Sequence, residues 1–488
     1  MPTRITFAAS PDERRLLHPT LHSAFGEFIG SLIYDGTWVG RSRGIPQVEG
    51  IREALILGLR EAGIAALRWP GGCTADHYHW MDGVGPARKK RMPYSAVQQD
   101  RFYHDFGTDE FLRLCELTGA EPILVANTAT GTPEEFAAWV EYCNGDAETR
   151  YGSLRAMNGH AAPYGVHTWG LGNTDENVWW AAYNDPLQYA RDFRRFKTAA
   201  MGCGLTFIGL GLSLRHETPG WVEPCLDYTT AGGRQRGPDA LSVHHYIGGA
   251  KGRYRACGDA VAYSDAAYHF TLDALQAYQD DIDYHKRAIR EHACPDFPVS
   301  ICFDEWGLWH PEATEENGFR QRQTMRDALF AAMALHLFYR NSDSVRYAME
   351  TQYVNVLQSL FETQGPVLTR TPTFYVFKLF RDHLGKRLLP WDSRQTNAML
   401  DCVASQGAGE RVVTLAHRDL HACAEIQLDL PSGARLLAAD VISPKDVHDQ
   451  NAVGRPPLVL DAPLPVRDGA FTLPPHSVAR LRYACPEA

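Results

Sequence analysis

The chain has 488 residues, 22% of them charged and 44% hydrophobic, with 48 basic against 58 acidic side chains and a formal charge of −10. This balance excludes a disordered or fibrous chain, gives no electrostatic reason to approach a polyphosphate backbone, and allows roughly three quarters of the unfolded surface to be buried. Two domains suit the length, because one large barrel often takes about 200 to 250 residues.

In chain order, residues 1–17 lack the apolar stretch of a secretory signal, and their acids do not suit a transit peptide. Residues 3–7 read as a strand. Apolar strands then follow at 27–34, 65–69, 122–126, 167–171, 206–212, 241–246, 299–303 and 345–349, with helical spacing between them. Several are apolar throughout, as expected of strands covered on both faces. The punctuation agrees: Asp185-Pro186 and Thr132-Pro133 each place an N-capping side chain before a proline at the first helical position. The longest uncharged apolar run, 328–339, is too short for about 30 Å of hydrocarbon and reads as a buried helix. From Lys386 the texture changes to period-two runs such as 411–415 and 424–428, broken by Gly, Pro, Asp and Ser, which indicates an antiparallel β-sandwich. The predicted architecture is an α/β (β/α)8 barrel over 18–385, with 1–17 and 386–488 forming the sandwich. The 11 cysteines are dispersed without a Cys-x-x-Cys pair, which favours reduced thiols and a cytoplasmic location with neither membrane nor nucleic-acid partner.

Catalytic groups of a βα barrel gather where strands end at the C-terminal mouth. That rule selects Glu27, Cys73 with Asp76, Asn173 with Thr174, Asp175 and Glu176, His244 with Tyr246, and Glu305. Glu305 ends the apolar run Ile301-Cys302-Phe303 and precedes Trp306. A carboxylate there can attack an anomeric carbon while Trp306 shapes a sugar subsite, or it can serve a structural ion pair. The pairs His77/His79 and His244/His245 lack carboxylate or thiolate partners at ligand spacing, so no metal is expected. Cys73, with no histidine partner in view, reads as a subsite wall. Trp69, Trp80, Trp179, Trp180, Trp306 and Trp309 cluster in the motif loops and as a group suggest sugar contact.

The run Arg68-Trp69-Pro70-Gly71-Gly72-Cys73 resembles the Arg-Trp-Pro-Gly-Gly signature of glycoside hydrolase family 51, most of whose characterised members are α-L-arabinofuranosidases. The resemblance extends through Glu27-Phe28-Ile29-Gly30, Gly170-Leu171-Gly172-Asn173, Ser242-Val243-His244-His245-Tyr246, Asp304-Glu305-Trp306 and Asn355-Val356-Leu357-Gln358, in the family's order. It implies a clan-A TIM barrel with a C-terminal sandwich, a retaining double displacement, no cofactor or metal, and a homo-oligomer, either a hexamer or a dimer. It assigns Glu305 as nucleophile, Tyr246 as its hydrogen-bond donor, His244 as a site histidine, and Glu27, Cys73 and Asn173 to the hydroxyls of a furanoside substrate, with Asp76 and Trp306 in the same blocks.

One departure bears on the chemistry. The family's acid/base glutamate follows the Gly-Asn pair, where this chain has Thr174 within Gly172-Asn173-Thr174-Asp175-Glu176. A threonine hydroxyl cannot protonate a departing alkoxide, and general acid/base help is worth about 10²- to 10⁴-fold. Three compensations are open: Asp175 or Glu176 as substitute acid, an activated leaving group that needs no proton, or transfer to an acceptor other than water. Phe28 and Ser31 depart from close relatives at the same mouth. The rival reading is a catalytically silent carbohydrate-binding pseudoenzyme.

Overall fold

A computed structural model describes residues 2–41, 44–90, 103–173, 185–211, 220–249, 253–391 and 398–485. Eight parallel strands close a barrel in the order β2 (Ser23–Phe25), β5 (Ala66–Trp69), β6 (Glu121–Ala126), β7 (Thr168–Leu171), β8 (Thr206–Leu210), β9 (Ala240–Gly248), β10 (Ser300–Trp309) and β11 (Val345–Thr351). Its floor is filled by Ala66, Ile123, Ile208, Ala240, Cys302, Tyr347 and Met349, so the interior is packed and only the mouth is free for chemistry. Two short hairpins lie outside it, β3 (Gln47–Val48) with β4 (Ile51–Arg52), and β12 (Phe361–Gln364) with β13 (Val367–Arg370).

The C-terminal part forms two sheets. One runs β14 (Arg387–Leu389), β15 (Leu400–Gly407), β16 (Glu410–His417), β21 (Ser477–Ala484), β18 (Arg435–Ile442), β19 (Asp461–Pro463), and the other joins β1 (Thr3–Thr6), β17 (Ala424–Asp429) and β20 (Ala470–Leu473). As residues 3–7 suggested, the N-terminal strand enters this sandwich, pairing parallel to β17 in register Thr3 with Ile426. Ile5, Cys402, Val413, Leu415, Ile426, Leu473 and Leu481 fill the space between the sheets. The helix over 328–339 is Met325–Arg340, and it is buried nearly throughout because it lies between barrel and sandwich.

Two strand expectations need correction. The first barrel strand is Ser23–Phe25, not 27–34. An added Cβ at Gly26 would lie 2.4 Å from the Tyr353 ring, and Gly30, at φ +52, presses on the Gly318 carbonyl, so the chain turns away after Phe25. The seventh strand runs through Glu305 to Trp309 instead of ending at 303. Residue 212, placed in the fifth strand by sequence, lies outside the described residues.

Candidate active site

Strand β10 slips register against β9 between Cys302 and Glu305, and against β11 between Phe303 and Trp306. Such a bulge sets extra residues against one neighbour and re-aims side chains. Here Phe303 and Trp306 turn outward onto Phe338 of the helix Met325–Arg340, at 5.1 and 5.4 Å between ring centroids. The consecutive acids Asp304 and Glu305 both meet Arg68 of β5.

Arg68 organises the pocket. It is 2% exposed, and its guanidinium lies over the Phe25 ring. Nη1 donates to Glu305 Oε1 at 3.2 Å, Nη2 donates to Asn173 Oδ1, and Nε stands 3.4 Å from Asp304 Oδ2. A planar fork reaches three acceptors at once, which a lysine ammonium cannot do in this geometry. Glu305 Oε2 accepts from the Tyr246 hydroxyl at 2.7 Å, which leaves that hydroxyl to accept from Thr351 Oγ1 at 3.1 Å. Asp304 Oδ1 accepts from Ser242 at 2.7 Å. Burial works to raise the Asp304 carboxyl, but Arg68 and then His244 overcome it and hold the group below the ordinary carboxylate value. The Tyr246 phenol is pushed well above its usual value by burial and by Glu305, so it stays a donor.

Glu27 stands just past β2. Its Oε1 accepts from Gln352 Nε2 at 3.1 Å, and its Oε2 lies 3.4 Å from both the Thr74 amide and hydroxyl. The following strand turns through Gly71 and Gly72 because a Cβ at Gly72 would sit 2.5 Å from Glu27 Oε2. Burial first, and the nearby Glu305 second, raise the Glu27 carboxyl to about 7 from an ordinary 4.5. A folded-state value above the unfolded one favours the fold below about 4.5, and that contribution is lost as pH rises through about 7. The Glu27→Gln variant is therefore expected to gain stability relative to wild type on passing from pH 4.5 to 8 in denaturant titrations, while losing a titration near pH 7 from its rate profile. A stability difference independent of pH would count against this assignment.

Other sequence candidates are sorted by the same geometry. Cys73 is half-buried and opens the single turn Cys73–His77 beyond β5, whereas Asp76 in that turn has no exposed surface. His79 is drawn off to Glu135 at 2.9 Å, and His245 turns outward to Asp281 and Tyr254. Among the described residues no group of three or more His, Cys, Asp or Glu side chains is placed to hold a metal ion. Thr174, Asp175, Glu176, Trp179 and Trp180 lie outside the described residues. Three groups escaped selection from sequence: Arg68, Asp304 and Gln352. A lone cation inside the apolar run Ala65-Ala66-Leu67-Arg68-Trp69 was the available signal for Arg68, because a buried guanidinium requires acceptors. Gln352 follows an apolar strand just as the selected residues do.

Two family models match the chain: an α-L-arabinofuranosidase 1 domain over residues 58–203 and an α-L-arabinofuranosidase C-terminal domain over 304–477. An intracellular exo-α-L-arabinofuranosidase of Bacteroides ovatus is 31% identical over 472 residues, covering 92% of this chain and 88% of the relative. The chain belongs to the α-L-arabinofuranosidase family, glycoside hydrolase family 51. The family 51 arabinofuranosidase of Xanthomonas axonopodis pv. citri superposes with a TM-score of 0.85 at 26% identity, over 98% of this chain and 99% of that one. An arabinose complex of the Thermotoga maritima α-L-arabinofuranosidase superposes at 0.82 with 25% identity, over 98% of each chain.

For this family 51 chain, the tryptophan expectation is largely overturned. Trp306 is fully buried, stacked on Phe377 at 6.2 Å between barrel and helices, so it cannot contact a sugar. Trp69 stacks on Phe111 and Trp80 on Trp139, both in the core. The outward turn at the bulge and the apolar helix layer behind it are the cause for Trp306. Trp309 alone of the described four stays partly exposed at the mouth, edge-on to Tyr246 at 5.5 Å and anchored by its indole to the Ala313 carbonyl.

Proposed function

We propose that this protein is a retaining α-L-arabinofuranosidase that releases terminal arabinofuranosyl residues, or closely similar furanosyl residues, through a glycosyl ester on Glu305. The observation that carries this reading is the grip on that carboxylate. Arg68 holds one oxygen and Tyr246 the other, so the nucleophile is aligned without a bound substrate. Glu27, Asn173, Cys73 and Gln352 surround the same mouth as hydroxyl partners for the sugar, and Trp309 supplies an apolar wall. The relatives' names give the sugar, and a pentofuranose suits a pocket crowded by this many polar groups. No cofactor enters the scheme, and residues 18–385 carry the catalysis. We place the protein in the cytoplasm, in line with its Bacteroides ovatus relative, and as a homo-oligomer that light scattering would detect.

Incubation with a fluorinated or cyclophellitol-type arabinofuranoside followed by peptide mass spectrometry is the test. An adduct on the peptide that contains Glu305 is expected. Saturable sugar binding without turnover or adduct would favour a silent carbohydrate-binding protein instead.

A further inference from the structure

A bulge disrupts the ladder around it, so groups outside the strand have to hold its backbone in place. In β10 the bulge carries the acids of the site. Against β9 the register shifts between Cys302 and Glu305, and pairing resumes with Glu305 opposite His244, Trp306 opposite His245 and Gly307 opposite Tyr246. Against β11 it shifts between Phe303 and Trp306 and ends with Trp306 opposite Glu350. Side-chain amides serve the strand on that side: the Leu308 amide donates to Gln358 Oε1 at 2.7 Å, and the Leu308 carbonyl accepts from Gln321 Nε2 at 2.9 Å.

On the β9 side the support is Tyr278, a fully buried residue of the helix Gln276–His292. Its ring packs on Phe303 at 5.0 Å between centroids, and its hydroxyl accepts from the Gly307 amide at 3.1 Å. One side chain therefore grips β10 both before and after Asp304 and Glu305. The same hydroxyl donates to the His245 carbonyl of β9 at 2.8 Å. A single oxygen thus ties the peptide that leads into Tyr246 to the second peptide after Glu305. Those two residues meet across the mouth, where the Tyr246 hydroxyl donates to Glu305 Oε2 at 2.7 Å. The Tyr278 ring itself lies behind the barrel wall, facing Phe330 and Phe338 at 6.0 and 6.1 Å.

Resting on the reading of Glu305 as nucleophile, we propose that Tyr278 is its positioning residue: the Tyr278 hydroxyl sets the spacing of β9 and β10 and thereby the bond from Tyr246 to the attacking carboxylate. Without that oxygen the buried His245 carbonyl loses a donor and the Gly307 amide an acceptor, and the two strands adjust to recover them. Tyr246 and Glu305 then move relative to each other. Attack on an anomeric carbon needs the carboxylate oxygen in line, and a displacement of about 1 Å costs roughly 10²-fold in rate. The hydroxyl partners of the sugar stand past other strands, Glu27 past β2, Asn173 past β7 and Gln352 past β11. The loss therefore falls on bond formation and spares sugar affinity.

The test is Tyr278→Phe, which keeps the ring and its packing and removes one oxygen. The variant is expected to stay folded, with kcat on 4-nitrophenyl α-L-arabinofuranoside and kinact for a cyclophellitol-type arabinofuranoside both lowered about 10- to 100-fold. KM and KI are expected to remain within about twofold of wild type. In a Tyr246→Phe background the bond that Tyr278 positions is already gone, so adding Tyr278→Phe should cost less than about threefold more. A purely structural tyrosine would produce neither that split nor that coupling. Unchanged rates, a rise in KM and KI that accounts for the loss, a full second loss in the Tyr246→Phe background, or a Tyr278→Phe protein that does not fold would each overturn the proposal. A Glu305 adduct in wild type alongside any of these would refute Tyr278 alone, whereas its absence in wild type would refute the nucleophile.

Discussion

Replacing Glu305 by glutamine is expected to lower kcat/KM on an aryl arabinofuranoside by roughly 10⁴- to 10⁶-fold, the scale of losing a nucleophile, while the fold persists. The amide keeps an oxygen for Arg68 or Tyr246, and Arg68 retains Asp304, so no cation is stranded. The same substitution should alter its neighbours electrostatically. Glu27 loses the second of the two influences that raise it, so its titration moves below about 7, and His244 loses one of the two carboxylates that raise it. Steady-state kinetics with NMR titration of the carboxyl and imidazole groups would check both effects. Retention of more than a hundredth of wild-type activity, with Glu27 still titrating near 7, would sink the assignment of Glu305.

Arg68→Met is expected to be the most destabilising single change at the mouth, costing about 3 to 5 kcal/mol, because it leaves buried carboxylates without their cation and Asn173 without its donor. The sign with pH follows. Without Arg68 the Asp304 carboxyl loses the largest influence that holds it below its ordinary value against burial, so the deficit is largest at neutral pH and narrows as pH falls through the carboxylate range. Arg68→Lys restores charge but not the three-way fork, and should recover only part of the loss. Urea titrations at pH 5 and pH 8 separate these outcomes. A deficit of equal size at both would show that packing over Phe25, not charge, is what Arg68 supplies.

Much of this was legible from residue order. The apolar strands at 65–69, 122–126 and 167–171 appear within a residue of their predicted bounds, and the Thr132 and Asp185 caps accept the backbone hydrogen bonds that their side chains suggested. Period-two runs marked the sandwich for the same reason: where one face is buried and the other wet, hydrophobicity must alternate. The first strand was misplaced because its three residues are too few to carry a pattern, while the apolar loop after it imitates one.

The chain's order alone determined the barrel, the sandwich and the set of polar residues that end strands, since those follow from local periodicity and from the rule that loops after strands converge. Tertiary structure decided which of them act together. The slip in β10, created by pairing with two neighbours at once, turns Asp304 and Glu305 into the mouth beside Arg68 and sends Trp306 into the core. No window of sequence contains that pairing, because a bulge is a property of strands that are distant along the chain, and so are the charges that set the protons on Glu27 and His244.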